Sequence, residues 1–108
     1  MLFRSYMAWI VDQAYDLGRN EAMDDPVTLV GRVISVEQPY LDGVPYICVT
    51  IEVQGKEDKP ISCYRLMGDG IEYVWLDDCL TVSGILRNFN GIVEFQEGCQ
   101  LEGYSWCI

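Results

Sequence analysis

Residues 80–101 read LTVSGILRNFNGIVEFQEGCQL, and this stretch decides the fold class of the chain. Its apolar residues recur at every second position over residues 80–86, which is the period of a half-buried β-strand. The Asn90-Gly91 pair tolerates positive φ, as a tight hairpin turn requires. A β-branched and aromatic run then extends over residues 92–96, and Gly98 interrupts it. The stretch therefore predicts a β-hairpin with a bulge near its end.

Three further strands are predicted before this hairpin: Val27–Glu37, Tyr46–Val53 and Ile61–Leu66. In the first, the alternation of apolar residues loses its phase after Gly31, which indicates a bulge or a sharp coil. In the second, the alternate residues from Ile47 to Val53 share one face. These features are typical of strands that curl into a small closed barrel.

Two helices are predicted from apolar spacing. Residues 1–18 place one apolar strip on a helix, and a second strip follows Leu2, Tyr6 and Trp9. Either the helix packs across the barrel with both strips covered, or the second strip docks a partner or a second copy of the chain. A short helix is predicted over residues 68–76, where Asp69 and Glu72 cap it; Ile71, Val74 and Trp75 line its inner face.

The order of elements matches an OB-fold: a mostly β, five-stranded barrel with a short helix between strands 3 and 4 and an extra N-terminal amphipathic helix. The runs LVGRVISVE, YICVTIEV and ISCYRL, followed by residues 76–101, resemble the tRNA-anti-like family of bacterial OB-fold proteins over about residues 27–101. The family's usual Gly-Asp before strand four is replaced here. We expect residues 1–25 to form the helix and linker, and residues 26–108 the barrel with a short C-terminal tail.

Composition limits the classes of function. The net charge is −10, with 7 basic and 17 acidic residues, so a nucleic-acid site would have to be local. The five cysteines show no Cys-x-x-Cys spacing, and Cys48, Cys63 and Cys99 fall in strand-like runs as small core residues. No apolar run is long enough to span a membrane, and no signal peptide is recognised, so we expect a cytoplasmic protein with reduced thiols.

The first functional hypothesis is a non-enzymatic OB-fold module that binds single-stranded nucleic acid. OB-folds bind ligands over strands 2 and 3, between the loops that join strands 1 to 2 and 4 to 5. Aromatic rings there would stack on bases, and arginines would contact phosphates. The candidate ligand-binding residues are Arg32, Tyr40, Tyr46, Thr50, Ser62, Tyr64, Arg65, Arg87 and Phe89. For Tyr46 and Tyr64, cross-strand packing is the competing interpretation.

The second hypothesis is an acidic protein-interaction module, either through Leu2, Tyr6 and Trp9 or as an inhibitor that imitates DNA. Imitation would need a continuous acidic surface from Asp24, Asp25, Asp42, Asp77, Asp78, Glu94 and Glu97. An enzyme is disfavoured, because the chain has no histidine and no phosphate-binding glycine motif. No catalytic residue, metal site or cofactor is expected; Asp77 and Asp78 are better explained as a turn.

Overall fold

The computed structural model describes residues 3–37, 46–96 and 98–105. Within these residues one α-helix precedes a mostly β structure, as the sequence predicts. The helix α1 spans Phe3–Tyr15, and the strands are β1 (Val27–Glu37), β2 (Ile47–Glu52), β3 (Ile61–Leu66), β4 (Cys79–Gly84), β5 (Leu86–Phe89), β6 (Ile92–Phe95) and β7 (Gln100–Ser105). A 3₁₀ turn, Ile71–Tyr73, lies between β3 and β4. No helix in the described part of the chain is both long and apolar enough to span a membrane.

The strands form one sheet in the order β5-β6-β3-β2-β1-β4-β7, and this sheet is not closed. β3 pairs with β6 in parallel, and every other pair of neighbouring strands is antiparallel. Seven strands appear where five were expected for two reasons. The first arm of the predicted hairpin divides into β4 and β5 around Ile85, and the tail contributes β7 beside β4.

The core lies on the face that the alternation of β2 predicts, with Ile47, Val49 and Ile51 almost completely buried. The predicted irregularity of β1 is confirmed: its pairing with β2 shifts register between Val33 and Ser35. Closer to its start, β1 approaches β2 tightly. A Cβ atom on Gly31 would lie 2.8 Å from the Ile51 Cδ1 atom. Gly31 is therefore required by the packing of the two strands.

The hairpin turn predicted at Asn90-Gly91 is confirmed. Both residues have positive φ, 53° and 92°, and β5 pairs with β6 on either side of them. The side chains of Leu86, Val93 and Phe95 are buried beneath this hairpin. Gly98 also has positive φ (90°) between β6 and β7, where the sequence predicts the interruption. The stretch that decides the fold class thus supplies a large part of the core.

The segment between α1 and β1, predicted as a linker, also forms an isolated backbone bridge with β5, Ala22 to Arg87. The Asn20 and Met23 amides donate to the carbonyls of Asn88 and Leu86, and the Asn88 amide donates to the carbonyl of Glu21. These bonds cover the outer edge of β5 with backbone. An otherwise exposed strand edge is thereby satisfied within the chain.

The helix α1 buries only one of its two apolar strips. Met7, Ile10 and Ala14 lie in the core, whereas Tyr6 and Trp9 are 47% and 53% exposed. The expectation that both strips are covered is wrong for Tyr6 and Trp9. Leu2, the third member of that strip, lies outside the described residues.

The short helix predicted over residues 68–76 reduces to the single 3₁₀ turn. Its N-terminal residue is Gly70 with φ 91°, and no side chain caps it, so the predicted roles of Asp69 and Glu72 as caps are wrong. Ile71 and Val74 are buried as expected, but Trp75 is 69% exposed. The chain leaves the turn in extended conformation at Val74, which points the next side chain away from the core.

The cysteines divide into two groups. Cys63 and Cys99 are buried core residues, and Cys48 is partly buried; all three carry free thiols. A hydrogen bond with Cys99 and complete burial both raise the pKa of the Cys63 thiol well above its ordinary value. Cys79, in contrast, is disulfide-bonded, so the expectation that every thiol is reduced is wrong for this residue.

Candidate functional site

A row of polar residues crosses five strands on the face opposite the core. Strand registers place Ser35 beside Thr50, Thr50 beside Ser62, Ser62 beside Glu94, and Glu94 beside Arg87. Thr50, Ser62, Glu94 and Arg87 are partly buried, whereas Ser35 is exposed. The alternation that buries residues such as Val49 and Cys63 turns these neighbours outward. The sheet therefore offers a hydrogen-bonding stripe to solvent.

An open pocket of about 320 Å³ lies at the β5 end of this stripe. Its walls are Tyr64 from β3, Arg87 and Phe89 from β5, and Glu94 from β6. The rings of Tyr64 and Phe89 are 45% and 43% exposed. Among the described residues, the walls of the pocket thus combine two accessible aromatic rings with a cation and an anion.

The guanidinium of Arg87 is held by two partners inside the pocket. It stacks over the Phe89 ring, 4.5 Å from its centroid, and its Nε atom lies 3.4 Å from the Glu94 Oε1 atom. The hairpin turn fixes this geometry, because Arg87 and Glu94 are paired across β5 and β6. Stacking on an aromatic face leaves the outer edge of a guanidinium able to bind an anion.

A second stack of arginine and aromatic rings lies next to Tyr64. The Arg65 guanidinium is 5.2 Å from the centroid of the Tyr46 ring and 5.6 Å from that of Tyr64. Arg65 has φ 59°, and the pairing of β2 with β3 shifts register at this point. Two residues of β3, Tyr64 and Arg65, stand opposite the single residue Cys48, and this bulge places both side chains at the surface. Tyr46 itself is buried (7% exposed), so it supports Arg65 and offers no open ring face.

The structure brings most of the predicted ligand-binding residues to this surface. Thr50 and Ser62 lie in the polar row, Tyr64, Arg87 and Phe89 line the pocket, and Tyr46 and Arg65 form the adjoining stack. Arg32 does not line the pocket. It lies on β1 and forms an ion pair with Glu52 of β2, which raises the pKa of its guanidinium. Tyr40 lies outside the described residues.

Sequence reasoning missed Glu94 as a wall of the pocket and assigned it to an acidic surface instead. A signal for its position existed in the sequence. With a two-residue turn at Asn90-Gly91, Phe89 pairs with Ile92, and counting outward by two pairs Arg87 with Glu94. An opposite-charge pair across a hairpin could therefore have been predicted.

The described acidic residues named for imitation of DNA come from three parts of the chain. Asp24 and Asp25 lie between α1 and β1, Asp77 and Asp78 lie in the turn before β4, and Glu94 is engaged by Arg87. Asp42 and Glu97 lie outside the described residues. Among the residues that the structure covers, no group of three or more acidic or cysteine side chains is placed to hold a metal ion.

Comparison of the chain with family models, with curated proteins and with solved structures finds no match. The assignment of a function therefore rests on the geometry of the chain itself. The class of site is clear from that geometry: an open surface on a sheet, with exposed aromatic rings, stacked guanidinium groups and hydroxyls. Such a surface suits a flat, hydrogen-bonding and partly anionic ligand.

Proposed function

We propose that this protein is a non-enzymatic module of the OB type that binds single-stranded nucleic acid. The strand order supports the OB-type part of this proposal, because β4-β1-β2-β3 is the order of a Greek key. Only Ile85 separates β4 from β5, and the Ile85 carbonyl accepts a hydrogen bond from the Gln96 amide. The chain thus passes directly from one side of the sheet to the other. A partly open five-stranded barrel would have this connectivity, with β4 and β5 as its divided fourth strand.

The observation that carries the functional part is the pocket between Tyr64 and Phe89, with Arg87 between them. In OB folds, ligands lie over strands 2 and 3 and beside the loop joining strands 4 and 5. Tyr64 lies on β3, and Phe89 lies next to the Asn90-Gly91 turn, which joins β5 to β6. In the proposed OB topology this turn takes the place of the loop between the fourth and fifth strands. Each exposed ring that stacks on a base contributes about 1–3 kcal/mol.

The hydroxyl row accounts for hydrogen bonding without selectivity for one base. Thr50 and Ser62 can each donate and accept, so they are compatible with the edges of different bases and with sugar hydroxyls. The exposed rings of Tyr64 and Phe89 provide flat surfaces that accept any base. We therefore expect weak sequence preference and a clear preference for single strands over duplexes, whose bases are already stacked.

The test is titration of fluorescently labelled single-stranded DNA and RNA by anisotropy, over ~20–200 mM salt, where phosphate contacts are readily detected. Tyr64→Ala and Phe89→Ala should each weaken binding about 5- to 150-fold, which is the loss of one stacked base. Tyr73→Ala removes a ring outside the site that is more exposed (75%) than Tyr64 or Phe89, and it is the control. Absence of binding throughout the salt range, or equal losses for Tyr73→Ala and Phe89→Ala, would contradict the proposal.

A second candidate function, self-association through α1, is favoured by one observation. The exposed rings of Tyr6 and Trp9 lie side by side, with centroids 6.0 Å apart. Such a pair supplies an apolar contact that two copies of a helix can share about a two-fold axis. Sedimentation velocity over a range of protein concentrations, with Trp9→Glu as the variant, tests it. A concentration-independent monomer mass for the unsubstituted chain would exclude this function.

A further inference from the structure

A second aromatic surface surrounds the 3₁₀ turn, on elements that do not contribute to the pocket. We define the turn patch as Tyr73, Trp75, Leu76 and Tyr104, whose side chains are 75%, 69%, 48% and 48% exposed. The pocket residues come from β3, β5 and β6, whereas the turn patch comes from the segment before β4 and from β7. Neighbouring exposed aromatic rings of this kind mark interaction surfaces more often than isolated ones do.

The patch is held in place by the fold beneath it. Ile71 and Val74 are buried and anchor the segment on either side of Tyr73. The Tyr104 hydroxyl donates a hydrogen bond to the Gly70 carbonyl, which ties β7 to the start of the turn. The Trp75 amide donates to the Asp78 carboxylate over 2.9 Å. The exposed rings therefore project from an ordered backbone, which reduces the entropy lost when a partner binds.

All the charged side chains in the segment that carries the 3₁₀ turn are acidic; the nearby cation is Arg32 of β1, which pairs with Glu52 and lies beside Asp77. Between Arg65 and Arg87 the sequence contains no lysine or arginine, but it contains Asp69, Glu72, Asp77 and Asp78. Two of these carboxylates act on the patch itself. Partial burial, with Asp78 and Glu72 nearby, raises the pKa of the Tyr104 hydroxyl. The rings are thus set in a negative potential, which repels phosphates and attracts cations.

We propose that the turn patch is a docking surface for a basic protein segment, one that presents arginine or lysine together with apolar side chains. Apolar side chains of the partner would cover Trp75 and Leu76, and its cations would lie against the faces of Tyr73 and Trp75. The surrounding carboxylates would pair with further cations and accelerate association. Charge complementarity selects this occupant over a nucleic acid. The proposal does not depend on the nucleic-acid function assigned to the pocket.

The test uses the full chain and a labelled eight-residue peptide of alternating arginine and leucine, with a peptide of alternating glutamate and leucine as the charge-reversed probe. We expect the basic peptide to bind and the acidic peptide not to bind. Trp75→Ala should lower the affinity for the basic peptide about 10-fold, as the loss of a central aromatic anchor does. Trp9→Ala removes the other described exposed tryptophan (53% exposed) and should change the affinity less than twofold. Because Trp75 is exposed, its removal should leave the thermal unfolding midpoint unchanged.

A second variant tests the electrostatic part with the rings intact. Asp69→Asn combined with Glu72→Gln removes two exposed charges that make no capping bond, and it should weaken the basic peptide about 3- to 10-fold at low salt. Failure of the basic peptide to bind at 1 mM, or equal binding of both peptides, would overturn the proposal. So would equal losses for Trp9→Ala and Trp75→Ala. If Trp75→Ala weakens single-stranded DNA instead, the patch belongs to a nucleic-acid surface and the proposal is wrong.

Discussion

Replacement of Glu94 by Gln should increase the affinity for single-stranded nucleic acid. In the unsubstituted protein the Glu94 carboxylate engages the Arg87 guanidinium inside the pocket. A phosphate that binds Arg87 must compete with this carboxylate and is repelled by it. Gln preserves the size and the polarity of the side chain, so the substitution removes the competing charge and little else. The Arg87 and Glu94 side chains are partly buried, and Gln can still accept a hydrogen bond from the guanidinium, so the fold should persist.

The magnitude follows from counterion release. One additional phosphate contact steepens the dependence of log K on log salt by about 0.7 for a single strand. With equal affinities at ~1 M salt, where the electrostatic contribution vanishes, this slope makes the Glu94→Gln variant bind about 8-fold more tightly than the unsubstituted protein at ~50 mM salt and about 3-fold more tightly at ~200 mM. The ratio of the two affinities must fall as salt rises, because the added interaction is electrostatic.

Anisotropy titrations of both proteins with the same labelled oligonucleotide, at four salt concentrations, measure this ratio. Glu52→Gln is the matched control, because Glu52 pairs with Arg32, an arginine that does not line the pocket. We expect Glu52→Gln to leave the slope unchanged to within the error. A Glu94→Gln variant that binds more weakly, or whose advantage is independent of salt, would refute the placement of a phosphate at Arg87.

Three further predictions concern the fold, each measured by urea unfolding. Gly31→Ala should destabilise the protein by about 1–3 kcal/mol, because the added Cβ overpacks against Ile51. Gly103→Ala is the control: no heavy atom lies within 4 Å of its added Cβ, so it should be neutral or slightly stabilising. Equal effects of the two substitutions would contradict this reasoning. Leu86→Ala should cost about 2–5 kcal/mol, and a loss below 1 kcal/mol would show that Leu86 is not in the core. Hydrogen bonds from Lys56 and Lys59 lower the pKa of Asp12, so the ionised carboxylate stabilises the folded protein at pH values above the ordinary pKa of 3.8, and this stabilisation is lost as the pH falls through the lowered pKa. The difference in unfolding free energy between the unsubstituted protein and Asp12→Asn should therefore disappear over that pH range. A difference that does not depend on pH would contradict this prediction.

Strand positions were predictable from the sequence because burial on one face imposes a period of two. The bounds of β1 and β3 and the Asn90-Gly91 turn follow from that period and from turn chemistry alone. The site was partly predictable for the same reason. Once Cys63 faces the core, Ser62 and Tyr64 face outward.

The parts that were not predictable depend on backbone geometry that side-chain patterns do not encode. Arg65 was named as a candidate for its charge, but alternation along ISCYRL would turn it toward the core; it is partly exposed because of the bulge and its own left-handed conformation. Trp75 was expected in the core because a helix would carry it there on the face of Ile71. The turn ends one residue too early, and the extended conformation of Val74 reverses the direction of Trp75. Hydrophobicity alone cannot distinguish these outcomes.

The net charge of −10 is compatible with the proposed phosphate contact at Arg87, because screening sets the distance over which charges act. The molecule measures 37 × 32 × 22 Å. At ~0.01 M salt the Debye length is about 30 Å, so acidic residues far from the pocket also oppose an approaching phosphate. At ~0.15 M it is about 8 Å, and the ligand responds mainly to the charges that line the pocket. Affinity should therefore depend on salt less steeply than its phosphate contacts alone imply. Because both proteins experience this general repulsion, it largely cancels in the ratio of their affinities for the oligonucleotide. That ratio therefore reports the effect of the charge beside Arg87.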